Sequence, residues 1–422
     1  MKTMFTCVLL SLSVLLASNS CDKNVNEVKD KVSEKLPEPL KIDLRGVETS
    51  MVKSDQAFAF DFFANVFDEE RKDANENFMV SPFSLSMALA MTWNGSAGET
   101  KESIQNTLGF GEWKDNEVNS YFNKLKNTFE KTDPSTKLTI ANSIWINGDV
   151  RILPDFISLN KDYYNAIVEA VDFGNTATVG RINAWAADNT NDLIKSIIEK
   201  TSTSDLMYLL NALYFKGIWT SEFDAKNTKK MAFAPEIGTQ TKVDMMHQEA
   251  TFNYTEDETV QLVELPYGNK AFSMMVLLPK EGNKLADVTK ALQNDDYWNS
   301  LKSKLNSREV DLYLPKFKTE YSKKLNDILI DMGMEVAFTA GKADFSRMSN
   351  RDAFISLVKQ NTFIATDEVG TEAAAVTAVG ILGTSFPADD NKVIFKADKP
   401  FVYIIQEKSS GSILFMGAVK RF

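Results

Sequence analysis

The chain has 422 residues, 44% of them hydrophobic and 28 of them Phe, with a formal net charge of -11. Length and apolar content supply a large folded core, and the acidic balance, without a Lys/Arg stripe interleaved with aromatics, excludes nucleic acid as the main partner. His247 is the only histidine, and Cys7 and Cys21 are the only cysteines, so a Ser-His-Asp or Cys-His nucleophile would have to use His247 and a Cys/His zinc site lacks ligands.

His247 lies in VDMMHQEATF and reads as an ordinary side chain. Carboxylate-only chemistry stays formally open because Asp and Glu are plentiful, but no acidic pair stands out from the solvated background; Asp389-Asp390 is more simply loop charge. The expectation is a protein that is not an enzyme and takes no cofactor and no metal.

Residues 1–20 read as an export signal. Lys2 supplies the positive start, and residues 8–17 form an apolar run of signal length, too short to span a bilayer comfortably. Ser18 and Ser20 precede Cys21 in a pattern similar to a loose bacterial lipobox, whose cysteine is lipidated; the other reading is simple cleavage with a free thiol. Residues 21–49 are charged, carry Pro37 and Pro39, and read as a tether. The expected location is the cell envelope or cell surface, held by a lipid anchor, with a secreted protein as the alternative. Residues 50–422 show no internal repeat or linker and read as one domain.

The body opens with Phe58, Phe62, Phe63 and Val66 at helical spacing, predicting a helix over 56–67. In NFMVSPFSLSMALAM (77–91), Ser81 suits an N-cap and Pro82 the first turn, ahead of the apolar stripe Leu85, Ala88, Leu89 and Thr92. Further helical patterns cover 99–108, 117–130 and 178–189, with a strand-like stretch at 138–146.

Strand signals then dominate. They cover 206–215, 260–266, 271–278, 310–317 and 363–366, rich in aliphatic and aromatic residues. One more amphipathic helix is predicted over 321–332, ended by Gly333. Short strands at 392–396, 401–406 and 413–419 close the chain. Helices early and strands late, without βαβ alternation, predict an α+β body on a large, mostly antiparallel or mixed sheet.

One stretch departs from this pattern. In EVGTEAAAVTAVGILGTS (368–385), the segment 371–384 carries a single charge, Glu372, no proline, and nothing larger than Ile or Leu. With period 2, Thr371, Ala373, Ala375, Thr377 and Val379 share one face, and Glu372, Ala374, Val376 and Ala378 the other. Gly370 can hinge the entry, and Gly380, Gly383 and Pro387 make the far end loop-like. Such an apolar arm left exposed invites aggregation unless it has a use. An insertable arm followed by a flexible bait is one reading; a core strand or Ala-rich helix is the other.

The chain resembles the serpins over essentially all of residues 50–422. The resemblance is carried by NFMVSPFSLSMALAM, INAWAADNT (182–190), LLNALYFKGIW (209–219), DEVGTEAAAVTA (367–378), KPFVYIIQ (399–406) and LFMGAV (414–419), in family order and spacing. It implies an α+β serpin-like fold of about nine helices and three sheets with an exposed reactive loop. It also implies a monomer that inhibits serine proteases as a suicide substrate. The protease cuts the loop and is trapped as an acyl-enzyme while the cut loop inserts into the main sheet.

Carried over by position, the resemblance places the loop hinge at Glu368, Gly370, Thr371, Glu372, Ala373, Ala374, Ala375, Val376 and Thr377. It places the reactive bond at Thr384-Ser385, within a window from Leu382 to Phe386. Ser81, Ser84 and Asn211 match the polar cluster beneath the opening strands, with Gln360 where the family usually has histidine. Trp219, Lys316 and Glu368 match the site at the top of the sheet where insertion starts. No Lys or Arg lies between Lys359 and Lys392, so the expected targets are elastase-like or chymotrypsin-like proteases, with cysteine proteases through Leu382 or Phe386. The alternative is a serpin-shaped binding module that is cut without trapping anything.

Overall fold

Phe58, Phe62 and Phe63 anchor the first helix, α1 (Val47–Glu70), which starts earlier than the predicted residue 56. The structure, a computed structural model, describes residues 36–71, 77–148, 150–294, 296–371 and 392–422. After α1 come β1 (Phe78–Val80), α2 (Pro82–Gly95), α3 (Gly98–Leu108) and α4 (Asp115–Phe129). Every residue of α2 is buried. A helix apolar all round belongs in the middle of a protein. Ser81 caps it through its side chain and Pro82 occupies its first turn, as predicted.

The chain continues through β2 (Lys137–Asn147), α5 (Pro154–Tyr164), β3 (Ile167–Val171), α6 (Ala177–Asn189), β4 (Met207–Ile218), β5 (Lys229–Phe233), β6 (Thr241–Glu256), β7 (Val260–Pro266) and β8 (Phe272–Pro279). Then follow α7 (Leu285–Leu292), α8 (Tyr297–Ser303), β9 (Asn306–Pro315), β10 (Phe317–Lys324), β11 (Ile355–Thr366), β12 (Gly370–Thr371), β13 (Val393–Lys396), β14 (Phe401–Glu407) and β15 (Ile413–Val419).

These strands form two sheets, one of six strands in the order β10-β11-β12-β4-β2-β3 and one of nine in the order β1-β15-β14-β8-β7-β6-β9-β13, with β5 also on β6. The nine-stranded sheet has two halves that share β6. Its residues 245–254 pair with β9 and 253–256 with β7. The second and third sheets implied by the resemblance are therefore continuous through this strand.

β4 is buried along nearly its whole length because both faces of the six-stranded sheet are covered there. Leu209, Leu213 and Phe215 join the main core, while Tyr208, Leu210 and Ala212 join a smaller core with Ile182 and Trp185 of α6.

Two expectations need correction. The helix predicted over 321–332 begins as strand, since residues 321–324 belong to β10 and Tyr321 pairs with Thr362. Phe317, Thr319 and Tyr321 are buried while Lys318, Glu320 and Ser322 are exposed, an alternation the helical pattern hid. The tether read over 21–49 also ends early. Residues 36–422 form one unit, Ile42 is buried, and the Leu40 and Ile42 N–H groups donate to Thr132 and Ser409. Apolar Leu40 and Ile42 were diluted by charges in sequence but find partners in space.

The core contains one acid with a testable signature. Asp55 of α1 is 8% exposed and accepts a hydrogen bond from the Tyr121 hydroxyl at 2.6 Å. Burial pushes its carboxyl up to about 7, against the opposing effect of that hydrogen bond. The folded-state value is raised, so the neutral form is favoured in the fold; its stability contribution is full below about pH 4 and is lost as pH rises through about 7. A rise of that size corresponds to roughly 4 kcal/mol between the two limits. Asp55→Asn is expected to be more stable than the natural protein at about pH 8 and to lose this part of the pH slope, read from urea midpoints across pH. Equal slopes for the two proteins would refute it.

Candidate functional site

The site grows out of the seam between β11 and β4. These strands run parallel and pair from Ile355↔Met207 to Asn361↔Ala212. Above that point β12 stands between them, antiparallel to both: Thr371 pairs with Thr366 on one side and with Gly217 on the other, and Gly370 pairs with Ile218. A short strand is thus wedged into the open upper end of a sheet whose lower end is closed.

Register decides what this wedge can do. Gln360 lies opposite Asn211 in the closed seam, and Thr366 lies across β12 from Gly217; both pairs are separated by 149 positions, since 360 − 211 and 366 − 217 agree. Above a bulge between Ile355 and Leu357, the two flanking strands therefore keep the same offset where they touch and where β12 parts them. Lengthening β12 requires them to separate, not to slide.

The wedge is held by a dense set of contacts. The Trp219 backbone N–H donates to the Val369 carbonyl at 2.8 Å, its indole N–H donates to the Asp367 carbonyl at 2.9 Å, and the Phe223 N–H donates to the Glu368 carbonyl at 2.9 Å. Lys316 lies 2.7 Å from the Glu368 carboxylate, and the Thr228 hydroxyl donates to its other oxygen at 2.8 Å. Burial opposes ionisation of Glu368, but hydrogen bonds from Lys316 and Thr228 outweigh it and hold the carboxyl below its usual range. Gly370 has no room for a side chain: a Cβ there would lie 2.1 Å from the Gly217 carbonyl oxygen.

Thr371 is completely buried, and its hydroxyl is 2.7 Å from the Tyr267 hydroxyl. The Tyr267 ring stacks on Trp219 with centroids 4.4 Å apart. Burial pushes the Tyr267 phenol well above its ordinary value, keeping it a neutral hydrogen-bonding group.

Lower in the seam the predicted polar residues come together. Gln360 accepts from the Ser81 N–H at 2.8 Å and donates to the Ser81 carbonyl at 3.0 Å and to Asn211 Oδ1 at 2.6 Å. The Ser81 hydroxyl donates to the Leu414 carbonyl at 2.6 Å, and the Ser84 hydroxyl donates to Asn142 Oδ1 at 3.2 Å. Asn211 Nδ2 also donates to Asn142 Oδ1. All five side chains are at most 3% exposed. Gln360 both donates and accepts here, as an amide can.

Sequence reasoning missed Asn142, Tyr267 and Thr228. Asn142 had a signal, as a lone amide in an apolar strand run. Tyr267 and Thr228 had none, because their partners lie far along the chain. Of the hinge residues assigned from sequence, Glu368, Gly370 and Thr371 lie in this site; Glu372, Ala373, Ala374, Ala375, Val376 and Thr377, with the bond Thr384-Ser385 and the lipidation site Cys21, lie outside the described residues.

A model of the family described as serpin (serine protease inhibitor) matches residues 53–421. The chain belongs to the serpin family. A serpin-like protein of Methanosarcina mazei is 34% identical over 421 residues, covering 98% of this chain and 97% of its own. Among solved structures, the native state of the thermophilic serpin tengpin superimposes with a TM-score of 0.82 at 30% identity, over 92% of this chain and 100% of that one. Human thyroxine-binding globulin in complex with thyroxine follows at 0.81 and 27%, over 89% and 99%. The wedge and the seam of this serpin thus sit in a fold shared with native tengpin and with a thyroxine-bound globulin.

Proposed function

We propose that this serpin inhibits a serine protease as a suicide substrate. The target's serine attacks the carbonyl of Thr384, the amine of Ser385 leaves, and the ester that links Thr384 to the protease forms. Before water cleaves that ester, β12 lengthens into the seam and carries the protease away from the loop's starting position. The observation that supports this most is the shared offset of β11 and β4 on either side of β12. Continued in the same register, the ladder brings Ala373 opposite Phe215 and Ile364, and Thr377 opposite Asn211 and Gln360. Thr371 faces the buried side, so Ala373, Ala375 and Thr377 follow it inward. Small side chains there need no space beyond what parting strands provide.

The absence of Lys and Arg between Lys359 and Lys392 favours an elastase-like or chymotrypsin-like target, with a cysteine protease served through Leu382 or Phe386. Mixing the protein with pancreatic elastase is expected to give a complex that survives SDS. Clean cleavage without a complex would instead favour a serpin-shaped binding module that is cut without trapping anything. The N-terminal reading belongs to the same proposal: residues 1–20 export the chain and a lipid on Cys21 holds it at the cell envelope. Cys21→Ser is then expected to move the protein from the membrane fraction to the soluble one, and an unchanged distribution would refute the anchor.

A further inference from the structure

His247 read as an ordinary side chain in sequence, yet the structure builds it into a group. Along β6 and β9, His247 lies opposite Tyr313 and Glu249 opposite Asp311. Residues two apart on a strand share a face, so all four side chains project from the same side of the nine-stranded sheet. His247 Nε2 is 2.6 Å from Asp311 Oδ1. The imidazole stacks on the Tyr313 ring with centroids 4.4 Å apart and planes 19° apart, and the Tyr313 hydroxyl reaches Asp311 Oδ2 at 3.4 Å. One ligand atom from each of His247, Glu249 and Asp311 lies within 4.8 Å of the other two.

We propose that His247, Asp311 and Glu249 form a binding site for a divalent cation of the zinc class, with water completing its coordination. Imidazole and carboxylate together suit zinc, which takes nitrogen at about 2.0 Å and carboxylate oxygen at about 2.0–2.2 Å in a tetrahedral set. Such bonds separate neighbouring ligand atoms by roughly 3.3 Å, a spacing reached by small side-chain rotations within the present spread. The strands supply preorganisation: ladder pairing fixes the three Cα positions, the Tyr313 ring fixes the imidazole plane, and the Tyr313 hydroxyl orients the Asp311 carboxylate. His247 and Asp311 side chains are 26% and 16% exposed, partly sheltered but open to an entering ion.

One of the three ligands already holds a cation. Lys392 Nζ lies 2.6 Å from the Glu249 carboxylate. Metal entry therefore displaces this ammonium from Glu249. Lys392 immediately precedes β13, which pairs with β9 alongside Asp311. The ion and the lysine compete for Glu249, so cation occupancy is coupled to how this start of β13 is held.

The test uses tag-free full-length protein. Titration with cobalt is expected to develop visible d–d absorption that saturates at one equivalent, and zinc is expected to abolish it by competition. His247→Gln and Asp311→Asn, checked for unchanged melting temperature, are each expected to lose the cobalt spectrum and to weaken zinc binding at least about tenfold in calorimetry. Lys392→Met removes the competing ammonium and is expected to tighten zinc binding. No zinc binding by the natural protein at about 100 µM metal, or equal binding by His247→Gln and the natural protein, would overturn the assignment.

Discussion

Cleavage at Thr384-Ser385 is expected to raise the melting temperature of this serpin by roughly 15 °C. The dozen or so residues after Thr371 become a central strand, gaining hydrogen bonds worth about 1 kcal/mol each net. Opening the seam from Ile355 to Asn361 removes some ladder bonds, but each strand edge regains them against the inserted strand. The surplus is on the order of 10 kcal/mol, and an unfolding entropy of about 2.1 cal/mol/K per residue over a body of this size converts it to between about 10 and 20 °C. Scanning calorimetry before and after nicking within Leu382 to Phe386 by a metalloprotease, which forms no acyl-enzyme and so is not trapped, reads it directly. A nicked form that melts no later than the intact one would remove the driving force on which inhibition depends.

Ala373→Arg is expected to turn the inhibitor into a substrate. Thr371 already lies in the sheet, so the first inward position that enters on lengthening is 373, opposite Phe215 and Ile364, both buried, where a guanidinium would be enclosed by apolar side chains. A buried charge without a partner costs several kcal/mol. If about 3 kcal/mol of that falls on the insertion barrier, insertion slows roughly a hundredfold. Hydrolysis of the acyl-enzyme then wins, and the SDS-stable complex gives way to cleaved protein and free protease. Ala373→Ser, which stays small and uncharged, should inhibit normally. Undiminished complex formation by the arginine variant would mean that position 373 does not enter the sheet on the way to the complex.

Patterns that depend on near neighbours were legible in the sequence. Ser81 and Pro82 announced α2, the apolar runs at 260–266 and 271–278 announced β7 and β8, and the final three strands fell where their apolar runs lie. Elements with weaker local signals escaped. The chain from 321 to 324 carries both a helical and an alternating pattern, and the partner strand β11 selects the second. β6 was unread because its middle, MMHQEATF, mixes buried and exposed residues without a clean period, and it becomes a strand because β9 and β7 pair with it.

The sequence alone settled what this chain excludes and what its arm is made of: a body without cysteine, one histidine, no basic residue between Lys359 and Lys392, and small side chains on one face after Gly370. Those facts need no coordinates, since composition and period two are properties of the chain itself. The fold decided everything that depends on which distant strands lie side by side. It set β11 and β4 at a common offset around β12, placed Tyr267 against Thr371, joined Asn142 to Asn211, and gathered His247, Glu249 and Asp311 on one face. Strand pairing brings residues tens to hundreds of positions apart within hydrogen-bonding reach, and no local pattern encodes which strand will be the neighbour.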